Sequence, residues 1–510
     1  MNGHAYDLYK QARNRIRKVQ PERLIGMAID ALHKASAEGV SAMKYFQPWN
    51  LLLLIKWVAQ EADATSHRRS LPRPQDFNFL INQLHDLENA VPMASAHGHW
   101  TFFFRKLSFQ QFGLQYGADV AAVARQLSLF RALPLNHRLQ GEFRAISGVS
   151  INDFCIFSTA MVYLVMQSPQ ARFFVPEALR PLETQSEPGA IDRFLRFISK
   201  NLPELHVWLG ADDFKDLPIA DQRILPSPLL DAPLIVIEAD HFFYYHPPLL
   251  VRSLEQSVYR NLRRSDPSRF GNDFGPLFER YVRRCLDCAQ MSYLDEAALQ
   301  TALTGAGECV DFLIAEDSHN VLIDAKAVEM SPLGRVSNDT DQLAKAVSAA
   351  KKAMGQGMAT TLRMRGLPPG STPAFGQGAN FLIVVTYDDL FLGSPYYFSE
   401  IFADTIQQQL EDRYGNPLPI PFINIFLITI GDLEVLLQLF REGKTTLVTA
   451  LRYARQQDLR MDTRKFQFSQ HLKSLAAPSE HFPLVQEAIT PLAEEMERRV
   501  VGSSARAAAS

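Results

Sequence analysis

Between Tyr6 and about Leu87, apolar residues recur at three- and four-residue intervals, as in ERLIGMAIDALHKA and WNLLLLIKWVAQEA, and the polar stretch SHRRSLPRP interrupts the runs. That period puts one face of each segment in a core and predicts successive helices. The pattern returns in GADVAAVARQLSLFRAL and from Ile151 to Gln167, so residues 1–190 are expected to form a mostly α-helical amino-terminal domain. No repeat period runs through it. The apolar run from Cys155 to Met166 falls short of the ~20 residues that span a bilayer and reads as a buried core helix.

Pro, Gly and Ser become frequent from Pro176 to Gly189. In the bridging segment 191–264, PLIVIEADHFFYYHPPLLV predicts a hairpin of two short strands joined at Ala239 and Asp240. A helix from Leu249 to about Leu262 leads into RRSDPSRFGND, whose Pro, Gly and Asn predict a loop and a domain boundary. Beyond it the period alternates. A helix is expected from Phe274 to Ala289, then strands at 291–294, 308–315 and 320–325, a helix from Thr340 to Met354, and strands beginning at Asn380 and Ile423. Alternating helices and β-branched strands indicate an α/β domain around a mixed sheet over 265–465. A helical tail, 466–510, is expected to end in disorder at SSARAAAS.

Composition narrows the function classes. A chain of 510 residues is too long for one core. With 52 Lys and Arg against 55 Asp and Glu, it is neither a uniformly basic nucleic-acid coat nor an acidic disordered tail. Four cysteines exclude a disulfide scaffold and point to a reducing compartment. The start, MNGHAYDLYKQARNRIRK, is charged from Asp7 onward and lacks the apolar stretch of a secretory signal. The expected location is cytoplasmic, with no membrane partner.

The chemistry concentrates in GECVDFLIAEDSHNVLIDAKAVEM, residues 307–330. Asp311 is expected inside one apolar strand and Asp324 and Lys326 near the end of the next, with AEDSHN as the turn. Residues two apart on a strand share a face, and an antiparallel return brings Asp311 beside them. Two carboxylates in an apolar sheet repel one another and lose hydration, so a cation must compensate. Mg²⁺ commonly sits between one or two carboxylates and a phosphate, which makes phosphodiester hydrolysis the natural chemistry, with Lys326 beside the attacking water. Glu308, three residues from Asp311, is assigned to the other face.

This arrangement resembles the PD-(D/E)XK nuclease superfamily, which includes restriction endonucleases and Holliday-junction resolvases. Glu279 in GPLFERYV stands where the family has a helical acid, Asp311 supplies the first strand acid, and Asp324-Ala-Lys326 supplies the second half of the motif. Gln342, in DTDQLAKA, matches a polar position on the following helix. The resemblance covers roughly 265–435, and it departs from the family at Val310, where the motif has Pro. It implies a restriction endonuclease-like core and a Mg²⁺-dependent endonuclease, with Mn²⁺ as a substitute. Asp311, Asp324 and Glu279 are the implied metal ligands, and Lys326 and Gln342 the remaining site residues. The implied partner is nucleic acid, DNA favoured over RNA. The attached helical half suggests a prokaryotic anti-phage role with a phage-derived trigger, and a homo-oligomer is compatible with cutting two strands.

Other readings remain open beside this one. The same site suits a ribonuclease, including one acting on transfer RNA, and a non-catalytic binding or scaffold protein would keep the fold. Glu279, among Arg280, Arg283 and Arg284, suits a surface ion pair. Residues 261–284 carry six Lys or Arg against three acids and residues 441–465 seven against three, and these clusters, like ARNRIRK near the start, suit phosphate contacts or solvated helix faces. Cys285-x-x-Cys288 with Cys309 and Cys155, the pair His97 and His99, and the set Glu238, Asp240, His241 and His246 have metal-ligand composition but read better as packed side chains. REGKTT at 441–446 lacks the Gly a phosphate-binding loop needs, since Gln438 stands there.

Overall fold

The computed structural model describes residues 2–90, 100–115, 119–168, 171–210, 218–238, 241–303, 307–367 and 375–509. The chain is mostly helical with two small mixed sheets, a mixed α/β composition. It divides into two units. The first comprises Met1–Met93, Lys106–Ser265 and Ala488–Ser510, and the second comprises Ala94–Arg105 and Asp266–Glu487. Among the described residues no single helix is long and apolar enough to cross a membrane.

In the first unit the expected helices form as Asn2–Ile16, Pro21–Glu38, Pro48–Gln60 and Pro74–Ala90. Their apolar stripes meet in a core of Leu24, Leu32, Leu51, Leu54, Trp57 and Leu80. The Ile151–Gln167 helix starts on the Ser150 hydroxyl, which accepts from Asp153 N, and buries Phe154 and Phe157 completely. The expected hairpin belongs to a larger sheet. Strands β1 (Phe173–Phe174), β2 (Ser199–Asn201), β3 (Leu234–Glu238) and β4 (His241–Tyr244) take the order β1-β4-β3-β2. Only β2 and β3 run parallel. Ala239 and Asp240 lie outside the described residues.

The second unit is built on a five-stranded sheet. Its strands are β5 (Leu294–Asp295), β6 (Phe312–Glu316), β7 (His319–Lys326), β8 (Asn380–Thr386) and β9 (Ile425–Thr429), in that spatial order. The first three are antiparallel neighbours, and β8 and β9 run parallel to β7. The β6–β7 turn is two residues, Asp317 and Ser318, both at positive φ as this tight hairpin requires. The Ser348–Arg365 helix packs on the sheet face that carries Leu382, and Gly357 makes the approach possible: a Cβ there would stand 3.0 Å from that leucine. The Pro267–Cys288 helix packs on the opposite face, where Phe274 and Phe278 meet the edge of Tyr387.

Four local expectations need correction. The tail expected to be disordered at SSARAAAS is helical as far as Ala509. RRSDPSRFGND is not a loop: the Asp266 carboxylate accepts from Arg269 N at 3.0 Å and Pro267 fits the first turn, so a helix begins there. Strand β5 is only Leu294–Asp295, and β6 starts at Phe312, so Asp311 precedes the strand by one residue. Residues 308–310 have no ladder partner because β5 pairs only with Phe312 and Leu313. The Ser348–Arg365 helix binds them instead, Thr360 Oγ1 accepting from Val310 N at 3.2 Å and Gln356 donating to the Cys309 carbonyl at 2.9 Å. The helix expected over 340–354 is broken at Val347 into Thr340–Ala346 and Ser348–Arg365.

Candidate functional site

The register of the β6–β7 hairpin places the site. Phe312 pairs with Ile323, so one step further along the antiparallel ladder Asp311 falls opposite Asp324. Opposed residues share a face, and Lys326, two residues on, shares it too. Asp311 Oδ2 accepts from the Ala325 backbone N–H at 2.7 Å, which fixes its carboxylate against β7. Lys326 closes an ion pair onto Asp324 Oδ1. Both Asp324 oxygens are sealed from solvent, and apart from Lys326 no donor among the described residues reaches either.

Electrostatics follow from burial. Asp324 is 0% exposed and its carboxyl is pushed up to about 7, first by loss of hydration and then by the negative charge of Asp311. Lys326 and Lys352 oppose the rise. Asp311 is raised in the same direction by burial, opposed by its Ala325 hydrogen bond and by Lys326. Glu279, half-buried on the Pro267–Cys288 helix, is raised by burial and then by Asp311, so it lies within electrostatic reach of the pair. Its nearest cation is Arg283, at 3.7 Å. Gln342 is exposed, and its side chain accepts from Ser337 Oγ at 3.1 Å; its described bonds stay in that turn.

Besides Arg283, which the sequence offered as an ion-pair partner of Glu279 and which pairs with it, three charged neighbours, Asp295, Glu296 and Lys352, were not singled out from the sequence. Arg283 is held by Asp295 at 2.7 Å, lies 5.4 Å over the Phe312 ring and lowers Asp311. Asp295 thereby ties β5 to the helix. Glu296 raises both Asp311 and Glu279. The charge of Lys352, on the Ser348–Arg365 helix, lowers Asp324. The signal that exists for Glu296 is its place in LDEAALQ, at the start of a helix capped by Asp295.

Among the described residues no group of three or more His, Cys, Asp or Glu gathers closely enough to hold a metal ion. The site offers a pair of carboxylates, one of them buried, with Lys326 as the one partner of its oxygens among the described residues. That fits an ion which keeps several waters and takes one or two protein carboxylates, as Mg²⁺ does, and does not fit a closed protein cage.

All four cysteines are free thiols, and Cys155 lies in the first unit while the others lie in the second. His241 packs edge-on against Phe173, and His246 is buried. His97 and His99 lie outside the described residues. Lys444 of REGKTT donates to the Ala477 carbonyl and Ser479 Oγ at 2.7 Å each. In ARNRIRK, Arg13 and Arg17 pair with Glu61, and Arg15 pairs with Asp76.

No family model matches this chain, and no curated protein and no solved structure is similar enough to it to register as a match.

Proposed function

We propose that the second unit is a metal-dependent phosphodiesterase acting on nucleic acid, with Asp311 and Asp324 as its carboxylates and Lys326 as the cation at the reacting phosphate. The observation that carries this reading is Asp324: a wholly buried carboxylate, opposite a second carboxylate, with one ammonium as its partner. A fold gains nothing in stability from such a pair, because burial and mutual repulsion both oppose ionisation. Strongly perturbed groups of this kind concentrate at functional sites.

Asp311 and Asp324 would hold the ion, which when bound supplies positive charge to the phosphate and acidifies a water. The protein's own groups do the rest. The Ala325 N–H keeps Asp311 oriented, and the ladder keeps the two carboxylates in register. Among the described residues Lys326 is tied to Asp324 alone at its charged end, so it can turn to a substrate phosphate once another cation neutralises that carboxylate. Glu279 adds negative charge at the same edge. An antiparallel hairpin with Asp324 and Lys326 on its second strand and Asp311 just before its first, followed after helices by a parallel strand, supports the PD-(D/E)XK resemblance as a proposal.

Purified protein incubated with plasmid, linear DNA and total RNA, with Mg²⁺ or with chelator, tests the reading. Metal-dependent degradation that Asp324→Asn abolishes supports it, and the polymer degraded separates deoxyribonuclease from ribonuclease. Absence of metal-dependent hydrolysis of all three leaves a non-catalytic protein.

A further inference from the structure

We infer that the exposed face of the Pro267–Cys288 helix is a track for the phosphodiester backbone of a polynucleotide, with Arg269 and Arg280 as its phosphate contacts and Arg283, paired with Asp295 and Glu279, at its end. The inference rests on the proposed hydrolysis at Asp311 and Asp324 and names the surface that would deliver the substrate there.

At about 100° per residue, Arg269, Pro276, Arg280 and Arg283 fall within about 60° of one another around the helix axis. The opposite face carries Phe270, Phe274, Phe278, Tyr281, Val282 and Cys285, all buried. Arg269 and Arg280 are exposed, and neither side chain has a partner among the described residues. The other arginines of this basic stretch are engaged: Arg263 donates to Tyr259 Oη at 2.9 Å, Arg264 pairs with Asp231, and Arg284 pairs with Glu487 at 2.9 Å. Two acids lie by the stripe: Asp287, in line with Arg269 and one turn beyond Arg283, accepts from Tyr293 Oη at 2.6 Å, and Asp273 has a partner of its own.

Arg283, at the end of the stripe, lies over Phe312, next in sequence to Asp311 but on the sheet face opposite the one Asp311 and Asp324 share, and is among the charges acting on Asp311 and Glu279. From Arg283 the helix rises about 4.5 Å to Arg280 and about 21 Å to Arg269. At 3.4 Å per step that is about six base steps of backbone. From the Ser348–Arg365 helix, exposed Lys352 acts on Asp324. The carboxylates therefore lie between cations from two helices, which offsets the repulsion they would exert on an approaching polyanion.

The test is salt-dependent binding of 20-residue duplex DNA, single-stranded DNA and RNA in chelator, comparing wild type with the double variant Arg269→Gln/Arg280→Gln. Removing two phosphate contacts should weaken binding roughly tenfold or more and make the slope of log affinity against log salt shallower by about two. The drop in KM from a tetranucleotide to a 20-residue substrate, measured with Mg²⁺, should shrink in the variant. Unchanged slope, affinity and length dependence, with a melting temperature equal to wild type, would overturn the track. If the variant loses binding but wild type cleaves none of the three polymers with Mg²⁺, the track stands as a binding surface and the hydrolytic reading falls.

Discussion

Asp311 stands across the antiparallel ladder from Asp324, and of the two it alone receives a backbone hydrogen bond, from Ala325 at 2.7 Å. The asymmetry makes Asp324 the costly member. Its carboxyl titrates at about 7 in the folded chain, above its ordinary 3.8, so the stability contributed by the neutral acid is complete below about pH 4 and is lost as pH rises to 7. Asp324→Asn should therefore raise stability in metal-free buffer at pH 8 by about 2–4 kcal/mol, with the gain shrinking at pH 5. Urea unfolding at the two pH values checks this; a variant less stable than wild type at both contradicts it.

Lys326 is the ion-pair partner of that buried carboxylate. Lys326→Met should lower kcat by about 100-fold or more, as loss of a charged group at a developing anion does. It should also shift the acidic limb of the pH–rate profile upward, because Asp324 then ionises without its counter-charge. A rate loss with no shift of that limb would place Lys326 outside the electrostatics of the pair.

The first unit should respond to acid in the opposite sense. His246 is buried with neither ring nitrogen hydrogen-bonded among the described residues, and burial, then the nearby His33, pushes its pKa down to about 3. The unfolded chain binds a proton below about 6.5 that the folded chain refuses, so stability is lost as pH falls from 6.5 toward 3, at up to about 1.4 kcal/mol per pH unit. His246→Phe should flatten that dependence. Melting curves of the full chain between pH 7 and pH 4.5 would show it as a smaller acid-induced drop in the transition of this unit.

Arg499 joins the carboxy-terminal helix to the first unit. Its side chain, 3% exposed, bonds Asp153 at 3.0 Å, the Leu182 carbonyl at 3.0 Å and Glu495 at 2.8 Å. Arg499→Ala leaves Asp153 and Glu495 short of a partner and should cost about 3 kcal/mol. Chemical denaturation measures it, and a change within about 0.5 kcal/mol would mean the network is solvated.

The hairpin carrying Asp311, Asp324 and Lys326 was legible because its chemistry is local: strand alternation fixes Asp324 with Lys326, and a tight turn fixes the register that returns Asp311. The capped start at Asp266–Pro267 was misread because Gly271 and Asn272 look like a loop in isolation, whereas burial of Phe270 and Phe274 holds them in a helix. Strands β1 and β2 have two and three residues and no period to detect. Arg283, Glu296 and Lys352 reach the site from separate helices, so their proximity depends on packing. The same holds in reverse for Gln342, whose position in the sequence suits the site while its side chain bonds Ser337.

Titrating Mg²⁺ into wild type and Asp324→Asn while following both thermal unfolding and plasmid or RNA cleavage tests the central claim most directly. The expected result is that Mg²⁺ stabilises wild type and starts cleavage over the same concentration range, and does neither in the variant. Cleavage of equal rate in both proteins, or a wild type indifferent to Mg²⁺ in both readouts, would contradict a metal-dependent site at Asp311 and Asp324.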